Sequence, residues 1–440
     1  MEQNNQDWLD RREARRKRRQ RNQILAYLVV ILVIVGMAVG VVVGVRAVAP
    51  TIQTEEEVQE TQQEVVEEIF ATEEPIVMPE PTEPVVELTP EQKLDEIVNA
   101  CIEVMPIEDK VAGLFVVTPE AITGVSTAVK AGEGTQQALA KYAVGGIIYF
   151  AKNMQSKEQL AEMIENTQLY TKYPLFIAVD EEGGSVSRVA GAGFADKVDS
   201  AQKIGQTGDA NNAYLAGVTV GTYLSELGFN VDFAPVADVA YEGITVLKDR
   251  TYGTDAASVA SYVTSMMQGL EEQNVTACLK HFPGIGSSSA DTHNGLASTD
   301  RSKEEFQANE FVVFQAGIDA GVDMIMVGHM SAPSLAGDNT PCSMSNEVIT
   351  GILRNELNYK GVVITDALNM SAISEYYGSD EAAILALKAG CDMVLMPENF
   401  ELAYNGVLQA VADGIISEER INDSLRRIYR IKYADKIKSE

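Results

Sequence analysis

Short apolar runs alternate with longer amphipathic stretches through most of the chain after residue 96. The apolar runs predict strands at 111–117, 144–150, 175–179, 231–236, 275–279, 323–327, 362–365 and 393–396. The stretches between them predict helices, among them 157–170, 211–227, 256–271, 303–320, 346–357 and 380–388. Strands that are apolar throughout are typical of a parallel sheet covered by helices. Eight such units predict an α/β fold of the (β/α)8 TIM-barrel type, with a doubly wound open sheet as the alternative.

The N-terminal region has a different pattern. Residues 24–45 form one apolar run, and ~20 helical residues suffice to cross a bilayer. Eight Arg and Lys residues crowd the segment from Arg11 to Arg21, and such a basic flank stays in the cytoplasm. We therefore predict a cytoplasmic segment at 1–23, a transmembrane signal anchor at 24–45 and an extracellular remainder. A cleaved signal peptide is the alternative, because Ala47-Val48-Ala49 resembles a cleavage site.

The segment after the predicted anchor is rich in Glu, Thr, Gln and Pro and almost lacks aromatic residues. This composition predicts a disordered acidic linker at 46–92, followed by one barrel domain at 93–440. The whole chain has 64 acidic and 34 basic residues and a net charge of −30. Such a balance argues against binding to nucleic acid and against a flat contact with anionic lipid.

The four cysteines do not form a pattern that predicts disulfides. Cys278 and Cys391 fall in predicted buried strands, and Cys101 and Cys342 lie far apart in sequence. We expect four free thiols, although an extracellular location favours pairing.

Polar residues follow several of the predicted strands directly. They are Asp180, Lys280, His281, His329 and Asp366. In a parallel barrel the carboxyl ends of all strands open on one face, so these side chains are predicted to share a pocket. His329 is also consistent with a buried histidine whose hydrogen bonds are satisfied, and we leave it out of the predicted catalytic set.

The stretch 280–293 combines a cation, two imidazoles, a carboxylate and small residues such as Gly284 and Gly286, which let a loop bend. An ionised Asp366 beside a sugar could act as a nucleophile or stabilise positive charge, as glycoside hydrolysis requires. His293 is the candidate acid/base, because imidazole titrates near neutrality. Asp291 could orient its ring.

Several motifs together resemble the β-N-acetylglucosaminidases of glycoside hydrolase family 3 over residues 97–433. They are DEEGGSVSR at 180–188, DFAPVADV at 232–239, DRTYG at 249–253, the stretch 280–293 and ITDAL at 364–368. The resemblance implies that Asp366 is the nucleophile, His293 the acid/base and Asp291 its partner. It also implies that the sugar is held by Asp180, Arg188, Arg250, Lys280 and His281.

Two departures from the family pattern matter. Ile285 stands where the family often has a second histidine. The chain also ends soon after the predicted barrel, whereas the family's β-glucosidases carry a further α/β domain that supplies their acid/base. The short form therefore favours an N-acetylglucosaminidase.

The sequence thus predicts a membrane-tethered, retaining exo-β-N-acetylglucosaminidase that acts outside the cell on a carbohydrate, with peptidoglycan fragments as the expected source. The alternatives are a β-N-acetylglucosaminide phosphorylase and a non-catalytic ectodomain that binds wall glycans. We predict no cofactor and no metal, since His281, His293 and His329 lack a familiar zinc spacing. No oligomeric state follows from the sequence.

Overall fold

The computed structural model describes residues 88–434 apart from 244, 245, 248, 289–294 and 296. These residues belong to one compact unit. Its central sheet has eight strands, each buried along most or all of its length. In chain order these are β1 (Phe115–Val117), β2 (Gly146–Ile148), β3 (Phe176–Val179), β4 (Val231–Asp232), β5 (Thr276–Phe282), β6 (Met324–Val327), β7 (Val362–Thr365) and β8 (Val394–Leu395). A small antiparallel hairpin, Glu181–Gly183 with Val186–Ser187, follows β3.

All neighbouring strands of the central sheet are parallel, and the spatial order β8-β1-β2-β3-β4-β5-β6-β7 follows the chain. Between β7 and β8 the sheet is joined by a bridge from Ile364 to Met393. A hydrogen bond from Thr365 N to Met393 O, 3.1 Å long, supports this bridge. This unit therefore has an α/β fold with a nearly closed, barrel-like parallel sheet. Because the order never reverses, the doubly wound alternative is wrong.

Helices connect the strands and cover the outside of the sheet. The α-helices are Pro90–Glu103, Ile107–Ala112, Pro119–Thr123, Glu133–Lys141, Lys157–Leu169, Ala201–Gln206, Asn211–Leu227, Ala256–Glu271, Lys303–Ala308, Glu310–Asp319, Pro333–Ala336, Ser371–Ser374, Ser379–Ala389, Phe400–Ala412 and Glu418–Lys432. Glu347–Glu356 is a π-helix, and Ala151–Asn153 and Cys342–Met344 are 3-10 turns.

Several predicted elements differ from the structure in their bounds, and three of the differences have a clear cause. The predicted strand 111–117 begins only at Phe115, because Ile107–Ala112 is a helix that starts after Pro106. The predicted strand 231–236 ends at Asp232, and Pro235 has no N–H to continue a ladder. The predicted helix 303–320 is two helices, because the backbone of Asn309, with φ −128° and ψ −86°, leaves the helical region.

A buried carboxylate lies where the barrel closes, just before β8. Asp392 Oδ2 accepts hydrogen bonds from Arg354 Nη2 at 2.5 Å and from Val363 N, in β7, at 2.9 Å. Its Oδ1 accepts from Ser424 Oγ at 2.7 Å and from Arg427 Nη1 at 3.1 Å. Asp392 thereby joins β7 to the helices around the closing edge.

All four cysteines carry free thiols, as predicted. Cys278 lies within β5, whereas Cys391 is buried ahead of β8 rather than inside a strand.

The predicted anchor at 24–45 lies outside the described residues, as does the predicted linker up to residue 87. Thr89 caps the helix Pro90–Glu103, which starts within the last residues of the linker prediction. Among the residues that the structure describes, no helix is both long enough and apolar enough to span a membrane.

Candidate active site

A cavity of about 310 Å³ opens where the carboxyl ends of the barrel strands meet. This volume is near the lower end of the ~300–1,000 Å³ typical of ligand pockets, so one small ligand fits. Its polar lining comprises Asp180, Glu182, Arg188, Arg250, Lys280, His281, Asp366 and Asn369. Its apolar lining includes Ile148, Phe150, Val186, Met326, Leu395, Met370 and Met396.

Lys280 and Glu182 form the centre of a buried ion-pair network. Lys280 Nζ lies 2.9 Å from Asp180 Oδ1 and 2.7 Å from Glu182 Oε1. Arg250 contacts Glu182 through two hydrogen bonds of 2.8 Å. Burial alone raises the pKa of Glu182, but Lys280 and Arg250 outweigh it and lower that pKa to about 2. Burial lowers the pKa of Lys280, but Asp180 and Glu182 outweigh it and raise that pKa. Glu182 and Lys280 therefore both stay charged at neutral pH.

The loop that carries Arg188 is held by a buried carboxylate. Glu181 is fully buried and accepts hydrogen bonds from the backbone N–H groups of residues 188–190, at 2.6–3.0 Å. Its Oε1 also accepts from the Tyr223 hydroxyl at 3.0 Å. Arg188 Nη2 consequently lies at the cavity, 3.6 Å from Asp180 Oδ2.

His281 is oriented by a second buried carboxylate. Its Nδ1 lies 2.8 Å from Asp238 Oδ2, and because a carboxylate only accepts, Nδ1 carries the proton. The other oxygen, Asp238 Oδ1, accepts a hydrogen bond from Ile285 N at 2.7 Å. Asp238 therefore connects the cavity wall to the beginning of the loop after β5.

Asp366 follows β7 directly and faces the cavity. Burial by itself raises the pKa of its carboxyl, but the His281 and His329 imidazoles, the Ala367 N–H and the Lys280 ammonium hold it below the usual value. The hydrogen bond from Ala367 N to Asp366 Oδ1 is 2.7 Å long. A carboxylate that remains ionised beside a ligand can attack it or stabilise positive charge on it.

His329 is fully buried. Its Nδ1 lies 2.8 Å from Ser343 Oγ, and its Nε2 lies 3.0 Å from the Ala367 carbonyl oxygen. The interpretation of His329 as a satisfied buried histidine is confirmed. Its position behind Ala367 supports the turn that presents Asp366.

The two glycines that were expected to give the loop after β5 freedom to bend are instead tightly packed. A Cβ at Gly284, which has φ +121°, would lie 2.2 Å from Glu310 Cγ. A Cβ at Gly286 would lie 1.8 Å from the Val239 carbonyl oxygen. Glycine is required here for close approach of the backbone to its neighbours.

Six of the eight predicted site residues meet at this cavity: Asp180, Arg188, Arg250, Lys280, His281 and Asp366. Asp291 and His293 lie outside the described residues. Sequence reasoning assigned no role to Glu181, Glu182 or Asp238. All three lie within the motifs at 180–188 and 232–239. The one feature of the sequence that could have indicated a role for them was the high density of carboxylates in those motifs.

Within the described part of the chain, no group of three or more His, Cys, Asp or Glu side chains is placed to hold a metal ion. His281 and His329 each have their own protein partners. His293, the third histidine considered in the sequence, lies outside the described residues.

Among the described residues that line the cavity, the formal side-chain charges balance. Three carboxylates, from Asp180, Glu182 and Asp366, face three cations, from Arg188, Arg250 and Lys280. Together with the apolar wall, this lining suits a neutral ligand that has hydroxyl groups on its edges and apolar C–H faces. A single sugar ring has that character.

Comparison with known proteins identifies the class. The glycosyl hydrolase family 3 N-terminal domain matches residues 106–431. The chain therefore belongs to glycosyl hydrolase family 3, and the prediction that it is of the glycoside hydrolase class is confirmed.

Two relatives illustrate the likeness. Beta-hexosaminidase A of Pseudoalteromonas piscicida is 30% identical over 323 residues, which are 67% of this chain and 54% of that protein. This chain thus spans about half the length of that relative. A beta-hexosaminidase of Stenotrophomonas maltophilia is 32% identical over 310 residues, which are 65% of this chain and 91% of that protein.

Solved structures show the same likeness. A family 3 beta-N-acetylglucosaminidase from Paenibacillus sp. is 34% identical, with a TM-score of 0.72 over 77% of this chain and 64% of that one. A family 3 glycosyl hydrolase from Mycobacterium smegmatis is 29% identical, with a TM-score of 0.67 over 75% of this chain and 98% of that one.

Proposed function

We propose that the protein is a retaining exo-β-N-acetylglucosaminidase that removes terminal β-linked N-acetylglucosamine from a glycan. The observation that carries this proposal is Asp366, whose carboxyl pKa is lowered while it faces a small cavity with balanced charges. Relatives named beta-hexosaminidase and a structural relative named beta-N-acetylglucosaminidase support the choice of sugar.

In the proposed first step, the Asp366 carboxylate attacks the anomeric carbon and the glycosidic C–O bond breaks. His293 gives its proton to the leaving oxygen, and Asp291 stabilises the imidazolium. In the second step, water loses a proton to His293 and attacks the anomeric carbon, which releases Asp366 and the free sugar. Hydrogen bonds with Asp180, Arg188, Arg250, Lys280 and His281 hold the ring during both steps.

The place of action is a further part of the proposal. The apolar run at 24–45 behind a basic flank supports an anchor in the cell membrane, with the barrel outside the cell. Release after cleavage near Ala49 is the alternative. An enzyme placed there would meet peptidoglycan fragments, which contain β-linked N-acetylglucosamine.

The test uses the purified full chain and p-nitrophenyl β-N-acetylglucosaminide, with and without phosphate. We expect release of p-nitrophenol and free N-acetylglucosamine. We also expect kcat to fall ~10³-fold or more in Asp366→Asn and to fall strongly in His293→Ala, with circular dichroism unchanged. No product from a folded protein contradicts the proposal, and formation of a sugar 1-phosphate would instead favour phosphorolysis.

A further inference from the structure

A buried carboxylate outside the cavity touches both ends of the loop after β5. Glu310, the first residue of the helix Glu310–Asp319, is fully buried. Its Oε1 accepts a hydrogen bond of 2.6 Å from the Tyr241 hydroxyl. Tyr241 lies in the segment between β4 and Arg250, so Glu310 also reaches the loop that carries a cavity residue.

The first end of the loop, at Gly284, packs against the Glu310 side chain. The backbone of Gly284 approaches so closely that a Cβ there would be 2.2 Å from Glu310 Cγ and 2.9 Å from its Cβ. The next residue, Ile285, is bonded to Asp238, which orients His281. A shift of Glu310 would therefore move Gly284 and Ile285, and through Asp238 it would move His281 in the cavity wall.

The second end of the loop, at Arg301, faces the same Glu310 carboxylate. Arg301 Nη2 lies 3.9 Å from Glu310 Oε2, and the guanidinium carbon lies 4.3 Å from the centre of the Tyr241 ring. The two ends are also joined directly, since Ser287 Oγ lies 3.1 Å from Thr299 Oγ1. Glu310 thus lies between the two ends of the segment that carries Asp291 and His293.

The charge state of Glu310 changes near neutral pH. Burial raises the pKa of its carboxyl to about 7, against the opposing effects of the Tyr241 hydroxyl and Arg301, while Asp238 raises it further. Among the described residues, no hydrogen-bond donor reaches Glu310 Oε2. In the part of the chain that the structure describes, the titratable and charged groups that face it are Tyr241, Arg301 and Asp238, and only its ionised form attracts Arg301.

We propose that Glu310 is a positioning residue for the acid/base step. Held by Tyr241, it fixes Gly284 and Arg301 on either side of the sequence that contains His293, and thereby supports proton donation by that histidine. The inference rests on the proposed function. It assigns Glu310 no contact with substrate, so its removal should weaken proton donation while sugar binding persists.

Leaving groups of different acidity separate proton donation from general damage to the fold. A 2,4-dinitrophenyl leaving group departs without protonation, whereas the sugar hydroxyl released from chitobiose requires it. We expect Glu310→Gln to lower kcat/KM ~10- to 100-fold for chitobiose and less than ~3-fold for the dinitrophenyl glycoside. Tyr241→Phe should show the same selectivity to a smaller extent. Glu242→Gln, an exposed carboxylate beside Tyr241, is the matched control and should equal wild type.

The pH profile supplies a second readout. Because Gln cannot ionise, the wild-type to Glu310→Gln ratio for chitobiose should approach 1 at low pH and rise across the pKa of about 7. Equal losses on both substrates, or a ratio that does not vary with pH, overturn the inference. If Glu310→Gln fails to fold, the selectivity of Tyr241→Phe decides. A wild-type chain inactive on both substrates refutes the proposed function itself, and this inference with it.

Discussion

Replacement of Glu182 by Gln tests how much the ion-pair network at the cavity contributes to the free energy of unfolding. The substitution preserves size and removes one charge. Asp180 is then the remaining carboxylate of the network, with its Oδ1 2.9 Å from Lys280 Nζ. The Glu182 side chain is only 4% exposed, so water cannot replace the lost charge.

The pKa of Glu182 sets the size of the expected loss in folding free energy. The pKa of Glu182 falls from 4.5 to about 2 on folding. At ~1.4 kcal/mol per pKa unit, this depression stabilises the folded protein by about 3 kcal/mol at pH 7. Breaking a buried ion pair by removing one partner independently costs ~3–5 kcal/mol. Because the folded pKa is the lower one, the stabilisation is complete above about pH 4.5 and is lost as the pH falls toward 2.

Urea unfolding followed by circular dichroism measures this effect. We expect Glu182→Gln to lower the free energy of unfolding by about 3 kcal/mol at pH 7, with a smaller difference at pH 3.5. Glu162→Gln, an exposed carboxylate on the helix Lys157–Leu169, is the control and should change it by less than ~0.5 kcal/mol. A loss below ~1 kcal/mol at pH 7, or one independent of pH, would refute the reasoning.

Two further substitutions test the frame around the site. Asp392→Asn removes the carboxylate shared by Arg354 and Arg427 at the closing edge, and should cost ~3–5 kcal/mol in urea unfolding; a change under ~1 kcal/mol would show that the guanidinium groups find other partners. Gly286→Ala places a Cβ 1.8 Å from the Val239 carbonyl oxygen, so the backbone must move. We expect a loss of ~1–3 kcal/mol and a lower kcat, and a variant with wild-type Tm and kcat would contradict the packing role.

The fold was predictable because parallel strands buried on both faces leave continuous apolar runs in the sequence. All eight strands occur where such runs predicted them. Their ends were less predictable, since they depend on pairing partners: Val362–Thr365 matches its prediction, whereas β4 stops at Asp232. The break at Asn309 also escaped prediction, because the amphipathic period continues across it.

Residues that line the cavity were predictable only where they directly follow a strand. Asp180 and Asp366 follow their strands directly, so their convergence was expected. Glu181, Glu182 and Asp238 could not be assigned in this way. Their roles depend on partners that are distant in sequence, such as Lys280 for Glu182 and Tyr223 for Glu181.

Covalent labelling tests the central claim most directly. A 5-fluoro derivative of β-N-acetylglucosaminyl fluoride slows breakdown of a glycosyl-enzyme more than its formation, so the intermediate accumulates. After proteolysis, mass spectrometry should find one N-acetyl-5-fluorohexosaminyl group on the peptide that contains Asp366, attached to that residue. A label on another residue, or turnover of substrate without any labelled enzyme, would contradict the assignment of Asp366 as the nucleophile.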